Sequence, residues 1–240
     1  MFKRNSKLTQ PQNTTIKMWR YMSSEKLKEL LEIEGLFFRR LSKFNDRFEG
    51  ILTDQSKDHL FKWALDIHNG NINAARGFVN ANDEHRNNFH INCWHMNNIE
   101  SYLMWKCYAQ MGAAIQTTYE RLTASFESCD EVIEGTKIEY IDYDRERIEL
   151  GNVYYPVKYK SHYYADEKEY RLIFWEVSEA NNKFRVDDDE IIIKADLNML
   201  IEKIHLNPLL SEQKKIETLL EEKGLIDRLI ESGISKHERM

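Results

Sequence analysis

The sequence predicts an α+β fold, with mixed and antiparallel sheets and helices along their flanks, on three observations. The first half reads as two strand–helix–strand units. The second half is dominated by segments of β-branched and aromatic alternation. No repeat, low-complexity tract or linker divides the 240 residues, so residues 16–240 read as one domain behind a flexible arm of residues 1–15.

The arm is polar, with Pro11 and several Gln, Asn and Thr. Lys17 to Met22 alternates as a strand does, and Ser23 or Ser24 can cap the following helix, whose Leu27, Leu30 and Leu31 recur at helical spacing until Gly35. Leu36 to Arg39 is the next strand. Phe44-Asn45-Asp46-Arg47-Phe48-Glu49-Gly50 reads as an ordered loop, anchored by two aromatics and turned by Asn, Asp and Gly. Helices are expected over Asp58–His68 and Ile72–Asn80, with a polar connection over Asn82–Asn88. The second unit is the strand His90–His95, a helix from Ile99 to Met111, and the strand Ala113–Thr117. Later strands are expected over Val132–Tyr143, Val153–Tyr159, Tyr170–Val177 and Ile191–Lys194, with Asp187–Glu190 a solvated turn. Ile204–Pro208 leads into a helix capped by Ser211, and a last helix follows Gly224.

Composition narrows the function classes. At 42% hydrophobic and 12% aromatic the chain has material for a core that encloses a cleft. It contains no run of about 20 apolar residues of the kind a membrane span needs, and its start lacks an apolar signal core, so the expected location is cytoplasmic with no membrane partner. Cys93, Cys107 and Cys129 are odd in number and unpaired in spacing, which reads as reduced thiols in the core. A net charge of −6 argues against coating nucleic acid through bulk charge. Glycine-rich phosphate loops, His-Glu-x-x-His, Cys-x-x-Cys pairs and Gly-x-Ser-x-Gly elbows are all missing from the sequence.

Three segments could carry chemistry. Cys93 and His95, two apart on a strand, share a face and read as a core thiol beside a polar histidine at a cleft rim; a zinc site would need more donors than they supply. On the next helix Ser101, Met104, Trp105 and Tyr108 share a face that either packs a core or walls a pocket for a flat ring. Further on, Glu167, Glu169 and Arg171 alternate, giving either an electrostatic site or an exposed strand end with ordinary charge pairs. Upstream, Tyr155, Lys158, Tyr159 and Lys160 interleave aromatics with cations, a composition suited to stacking on bases with phosphate contacts, or to a half-exposed strand.

Together, Trp19-Arg20-Tyr21, Phe44-Asn45-Asp46-x-Phe48-Glu49, Cys93-Trp94-His95, Glu100-Ser101-x-x-Met104-Trp105-x-x-Tyr108 and Glu167-x-Glu169-Tyr170-Arg171 resemble a widespread bacterial family whose own name carries no function. Their order also resembles that of the ADP-ribosyltransferase superfamily, although its first-strand His or Arg with a small residue, and its Ser-Thr-Ser, are replaced here. The resemblance implies split mixed and antiparallel sheets with flanking helices. It implies an enzyme that cleaves NAD, as substrate, and moves ADP-ribose to a protein or nucleic-acid acceptor. Such an enzyme would act as a toxin or phage-defence effector, with a cognate inhibitor as a further partner. It assigns Glu169, or else Glu167, as the catalytic acid, and Arg20, Tyr21, His95, Ser101, Trp105 and Tyr108 to the dinucleotide. Tyr155, Lys158, Tyr159 and Lys160 fall at the target-recognition segment, and no metal is implied.

Two other readings stay open. One is a metal-dependent nuclease, with Asp166, Glu167 and Lys168 or Glu169 holding a cation together with Asp142 or Asp144. The other is an interaction protein whose aromatic clusters are all core.

Overall fold

The structure is a computed structural model that describes residues 1–110, 112–176, 187, 189–207 and 213–234. In chain order the elements are β1 (Lys17–Ser23), α1 (Ser24–Ile33), β2 (Gly35–Arg40), α2 (Asp54–Ile67), α3 (Ile72–Glu84), β3 (Phe89–Met96), α4 (Tyr102–Tyr108), β4 (Gly112–Thr118) and α5 (Tyr119–Ala124). There follow β5 (Glu134–Lys137), β6 (Glu139–Ile141), β7 (Tyr159–Ser161), β8 (Glu169–Trp175), β9 (Glu190–Lys194), α6 (Leu197–Leu200), β10 (Lys203–Leu206), α7 (Gln213–Glu222) and β11 (Leu229–Glu231).

The mixed α+β class holds, and the sheet is mostly antiparallel. Its strands run β11-β10-β4-β1-β3-β2-β9, with β8 and then β5 attached to the other side of β3, while β6 and β7 form a separate parallel pair. β3 is shared. Its C-terminal end pairs with β1 at Met18↔Met96 and Trp19↔His95. Its N-terminal end pairs with β2 at Arg39↔Ile91 and Arg40↔His90. Between those stretches β1 and β2 part, and side chains take over: Arg20 Nη1 donates to the Cys93 carbonyl at 2.8 Å and Asn92 Nδ2 to the Phe37 carbonyl at 2.8 Å. On its other edge β3 is paired along its length with β8, from Phe89↔Trp175 to His95↔Glu169.

Strand alternation sorts the side chains onto two faces. Met18, Met22, Trp94, Ala113, Ile115, Tyr170 and Leu172 point to a large core closed by Leu27, Leu30 and Leu31 of α1, Leu122 of α5, Leu200 of α6 and Leu220 of α7. Trp19, Tyr21, Cys93, His95, Glu169 and Arg171 occupy the opposite phase, and that face carries the cleft. The helix α1 is held at the cleft edge by its cap, since the Ser23 side chain accepts from the Lys26 N–H, and it stops at Glu34 in the left-handed region.

Several expectations are corrected. The stretch read as an arm lies along β5: Leu8 is buried, Lys3 N–H donates to the Ile133 carbonyl and Thr9 N–H to Thr136. The helix expected from Ile99 begins only at Tyr102, with Ser101 as its cap, because the Glu100 carboxylate is turned to Trp105 Nε1, Ser232 Oγ and Gly233 N–H, all of which donate to it. Val132–Tyr143 divides into β5 and β6, and Val153–Tyr159 is largely turn, with a 3-10 turn at Pro156–Lys158. The helix expected after Gly224 is a 3-10 turn and then β11, which adds in parallel to β10. The helix α5 was unforeseen. Cys107 is exposed, whereas Cys93 and Cys129 are half-buried. Ser211, Val177 and Met111, each expected to end or cap an element, lie outside the described residues. None of the described helices is long and apolar enough to cross a membrane.

Gly112 is where β4 passes closest to β1. A Cβ there would meet the Met22 carbonyl oxygen at 2.1 Å and Ser23 Cα at 2.8 Å, both backbone. Gly112→Ala is expected to destabilise the fold by about 1–3 kcal/mol or more, as overpacking does. A lower urea midpoint at unchanged slope is the expected result.

Candidate functional site

The parting of β1 and β2 opens a cleft of about 620 Å³. One wall is the end of β1 with the α1 terminus, from Trp19 to Lys26, joined by Arg39 and Lys43. The loop Phe44–Glu49 lies along it. The floor is Cys93 and His95 of β3, and the far wall combines Met104 and Tyr108 of α4 with Lys160, Tyr164, Glu167 and Glu169.

Charge is concentrated at the far wall and beneath the floor. Lys160 Nζ lies 3.2 Å from Glu49, 2.6 Å from Glu167 and 3.1 Å from Glu169. Arg171 Nε donates to Glu169 at 2.6 Å, Nη2 reaches Glu49, and Nη1 donates to the Val157 carbonyl at 2.9 Å. Three carboxylates thus share two cations, a surplus of one negative charge when all are ionised. The sharing is unequal. Burial alone would raise the Glu169 carboxyl, but Arg171 first and Lys160 next outweigh it and hold it down at about 2. Glu49 is only 2% exposed. Burial dominates for it, and the neighbouring Glu169 adds to the upward push against Arg171. Lys160 is pushed up despite its burial by Glu169 and Glu49, so it remains an ammonium.

The remaining cleft groups are set by local hydrogen bonds. Of the three glutamates, Glu167 is the most open, with 17% of its side chain exposed; Tyr108 Oη donates to its Oε1 at 2.9 Å. Burial first, and then the Glu169 charge, push the Cys93 thiol far up, so it stays protonated and is no nucleophile. His95 Nδ1 lies 2.6 Å from the Glu167 carbonyl, an acceptor, so Nδ1 carries the proton. The histidine is 3% exposed and lines the cleft, and its Nε2 is buried without a protein partner. Burial lowers its pKa, with Lys168 assisting against Glu167, which keeps the ring neutral near pH 7. The Tyr21 hydroxyl accepts from Ser101 N–H at 2.9 Å, and its ring meets Trp105 edge-on at 5.6 Å.

Of the residues singled out from the sequence, Arg20, Tyr21, His95, Tyr108, Lys160, Glu167 and Glu169 meet at this cleft. Ser101 and Trp105 stand behind it, Ser101 as the cap of α4 and Trp105 buried against Glu100. Tyr155, Lys158 and Tyr159 lie off the cleft: Lys158 Nζ donates to Glu149 at 2.7 Å and sits over both tyrosine rings, so its charge is spent internally. Glu49 stood in a sequence block without being given a role, and no motif revealed the cationic lip of Lys26, Arg39 and Lys43, all three exposed. For the nuclease reading, the point where the three glutamates converge is filled by the Lys160 ammonium. The Asp142 carboxylate turns instead to its own loop, accepting from Asp144 N–H at 3.0 Å. Among the described residues no three His, Cys, Asp or Glu side chains form a metal cage.

Removing one member of a buried ion cluster strands the rest. Arg171→Met is expected to cost about 3–5 kcal/mol, while Glu167→Gln, which keeps an acceptor for Tyr108 at the open edge, costs about 1 kcal/mol or less. Chemical denaturation of both variants measures the contrast. Because the Glu169 carboxyl is held at about 2, below its ordinary value of 4.5, its contribution is present at neutral pH and lost as pH falls between those values. The unfolding temperature should drop across that window and drop less in Arg171→Met, with the raised Glu49 offsetting part of the effect.

No known family, curated protein or solved structure matches the chain.

Proposed function

We propose that the cleft binds NAD and that the protein is an ADP-ribosyltransferase-like enzyme, moving ADP-ribose from NAD to a protein or nucleic-acid acceptor. The observation that carries this reading is the polarity of one cleft: a lip of Arg20, Lys26, Arg39 and Lys43, the last paired with Asp189 at 3.2 Å, stands across from a far wall where three glutamates outnumber two cations. A dinucleotide matches that division. Its pyrophosphate suits the cationic side chains of the lip. Its nicotinamide ring and the ribose that gains positive charge on cleavage suit the acidic end. The volume of about 620 Å³ falls among those of cofactor sites.

The two glutamates divide the work in this reading. Glu167, most exposed and oriented by Tyr108 and Lys160, contacts the ribose and stabilises the developing charge. Glu169 lies deeper and acts as a positioning residue through Lys160 and Arg171. Tyr21 and Tyr108 hold the departing ring, with Met104 beside them. Tyr164, 40% exposed, lines the cleft, and with its exposed chain neighbour Tyr163 gives an acceptor a surface to dock on.

Incubation with radiolabelled NAD and measurement of nicotinamide release test the reading. Wild type should release nicotinamide, and Glu167→Gln should lower the rate by about 10²–10³-fold, in line with loss of one transition-state electrostatic contact. Because Glu167→Gln is expected to fold, it is a cleaner probe than Glu169→Gln, which disturbs the buried ions. A protein that neither binds nor cleaves NAD would retire the proposal.

A further inference from the structure

We propose that His95 is the general base of this cleft, its Nε2 taking the proton of a neutral O–H or ring N–H acceptor as that acceptor attacks the ribose. This rests on the NAD reading above and narrows the acceptor to an uncharged nucleophile, excluding lysine ammonium and arginine guanidinium.

The starting point is an orphan. A buried polar atom without a partner is uncommon in a folded protein and calls for a physical account, and His95 Nε2 is such an atom in the wall of the cleft. The rest of the ring is fixed. Nδ1–H is committed to the Glu167 carbonyl at 2.6 Å, so the lone pair must reside on Nε2. The ring is positioned from every side: Tyr21 of β1 meets it edge-on at 6.1 Å, Glu169 of β8 is its partner across the strand pair, and Cys93 shares its face of β3. Glu167 and Lys168 approach from the loop before β8, opposing each other in charge, with Tyr108 of α4 and Lys160 of β7 bound to Glu167. A histidine that donates to a main-chain carbonyl, keeps a bare second nitrogen and lines a cleft is arranged to accept a proton.

The step balances. The bond between the ribose carbon and the nicotinamide nitrogen breaks, its electron pair leaving with nicotinamide as a neutral base. A lone pair of the acceptor forms the new bond to that carbon, and the acceptor's proton passes to Nε2, leaving an imidazolium. The acceptor class follows from this order of events. A hydroxyl attacks with a lone pair it already has and loses its proton as the bond forms. An ammonium near its ordinary pKa of ~10.4 has no lone pair until it is deprotonated, and a neutral imidazole is far too weak to do that.

The experiment supplies the full-length protein with NAD and either methanol, as a neutral hydroxyl probe, or agmatine, as a guanidinium probe. Products are followed between pH 5 and pH 8. Expected for wild type are methyl ADP-ribose in preference to the agmatine adduct, and a rate that rises with pH to a plateau with its midpoint below 6.5. His95→Asn and His95→Gln should each lower methanolysis by about 10²-fold or more and abolish the rise. Nitrogen-15 spectra of wild type at pH 7 should show His95 neutral with its proton on Nδ1. Preference for agmatine, a wild-type pH profile in either variant, or a proton on Nε2 overturns the assignment of His95 while leaving NAD cleavage standing. Absence of NAD cleavage in wild type overturns both.

Discussion

The structure depends on the ion cluster of Glu49, Lys160, Glu167, Glu169 and Arg171. It joins the loop after β2, β7, the turn before β8 and β8 itself, segments separated by up to 122 positions in the chain. Arg171 is fully buried, and a guanidinium there is tolerable only because its fork is met by two carboxylates and a carbonyl. Such a cluster is a poor source of net stability but a strict specifier of arrangement, since a slip of β8 by one residue would turn Glu169 and Arg171 into the apolar core and Tyr170 out of it. The same cluster that fixes the register also furnishes the acidic end of the cleft.

Much of this was legible in the sequence. Period-two alternation in β1, β3, β4 and β8 and the apolar stripe of α1 located those elements, and alternation alone placed Cys93 with His95 and Glu169 with Arg171. What could not be read was which partners the charges would find. Lys160 was grouped with Lys158 because both interleave with tyrosines, yet one crosses to three glutamates and the other to Glu149 and Glu139. Glu49 gave only the signal of an acid in an aromatic-anchored loop, and its meeting with Arg171 is purely tertiary. The misjudged segments are those whose backbone is governed by distant groups. Glu100, bound to His205, Ser232 and Gly233, decides where α4 starts, and pairing with β10 decides that Leu229–Glu231 is a strand.

Aromatic residues on this face have two separate duties. Tyr21, Trp105 and Trp19 form a rigid panel, with Tyr21 and Trp19 stacked at 6.2 Å and Trp19 tied through Nε1 to the Asn97 carbonyl at 2.7 Å. That panel sets α4 against β1 and so sets the position of Tyr108. Tyr164 lines the cleft with the Lys160 ammonium 4.9 Å from its ring centroid, and Tyr163 packs on His162 at 4.2 Å with most of its surface exposed. Sequence composition treats all of them alike; only burial separates scaffold from surface.

The sharing of β3 by two strand partners has a structural consequence. Everything from β11 to β1 is joined to the rest of the sheet along β3 through only two register pairs and the Arg20 tie, while β2 has its own two pairs and the Asn92 tie at the other end. Where strand hydrogen bonds are missing, packing takes their place: Met18, Met22 and Ile115 on one side of the gap and Leu36, Phe38, Ile191 and Ile193 on the other belong to one apolar core. The sheet thus carries an opening on its polar face that is bridged on its apolar face, which is how a cleft can cut into it without dividing the domain.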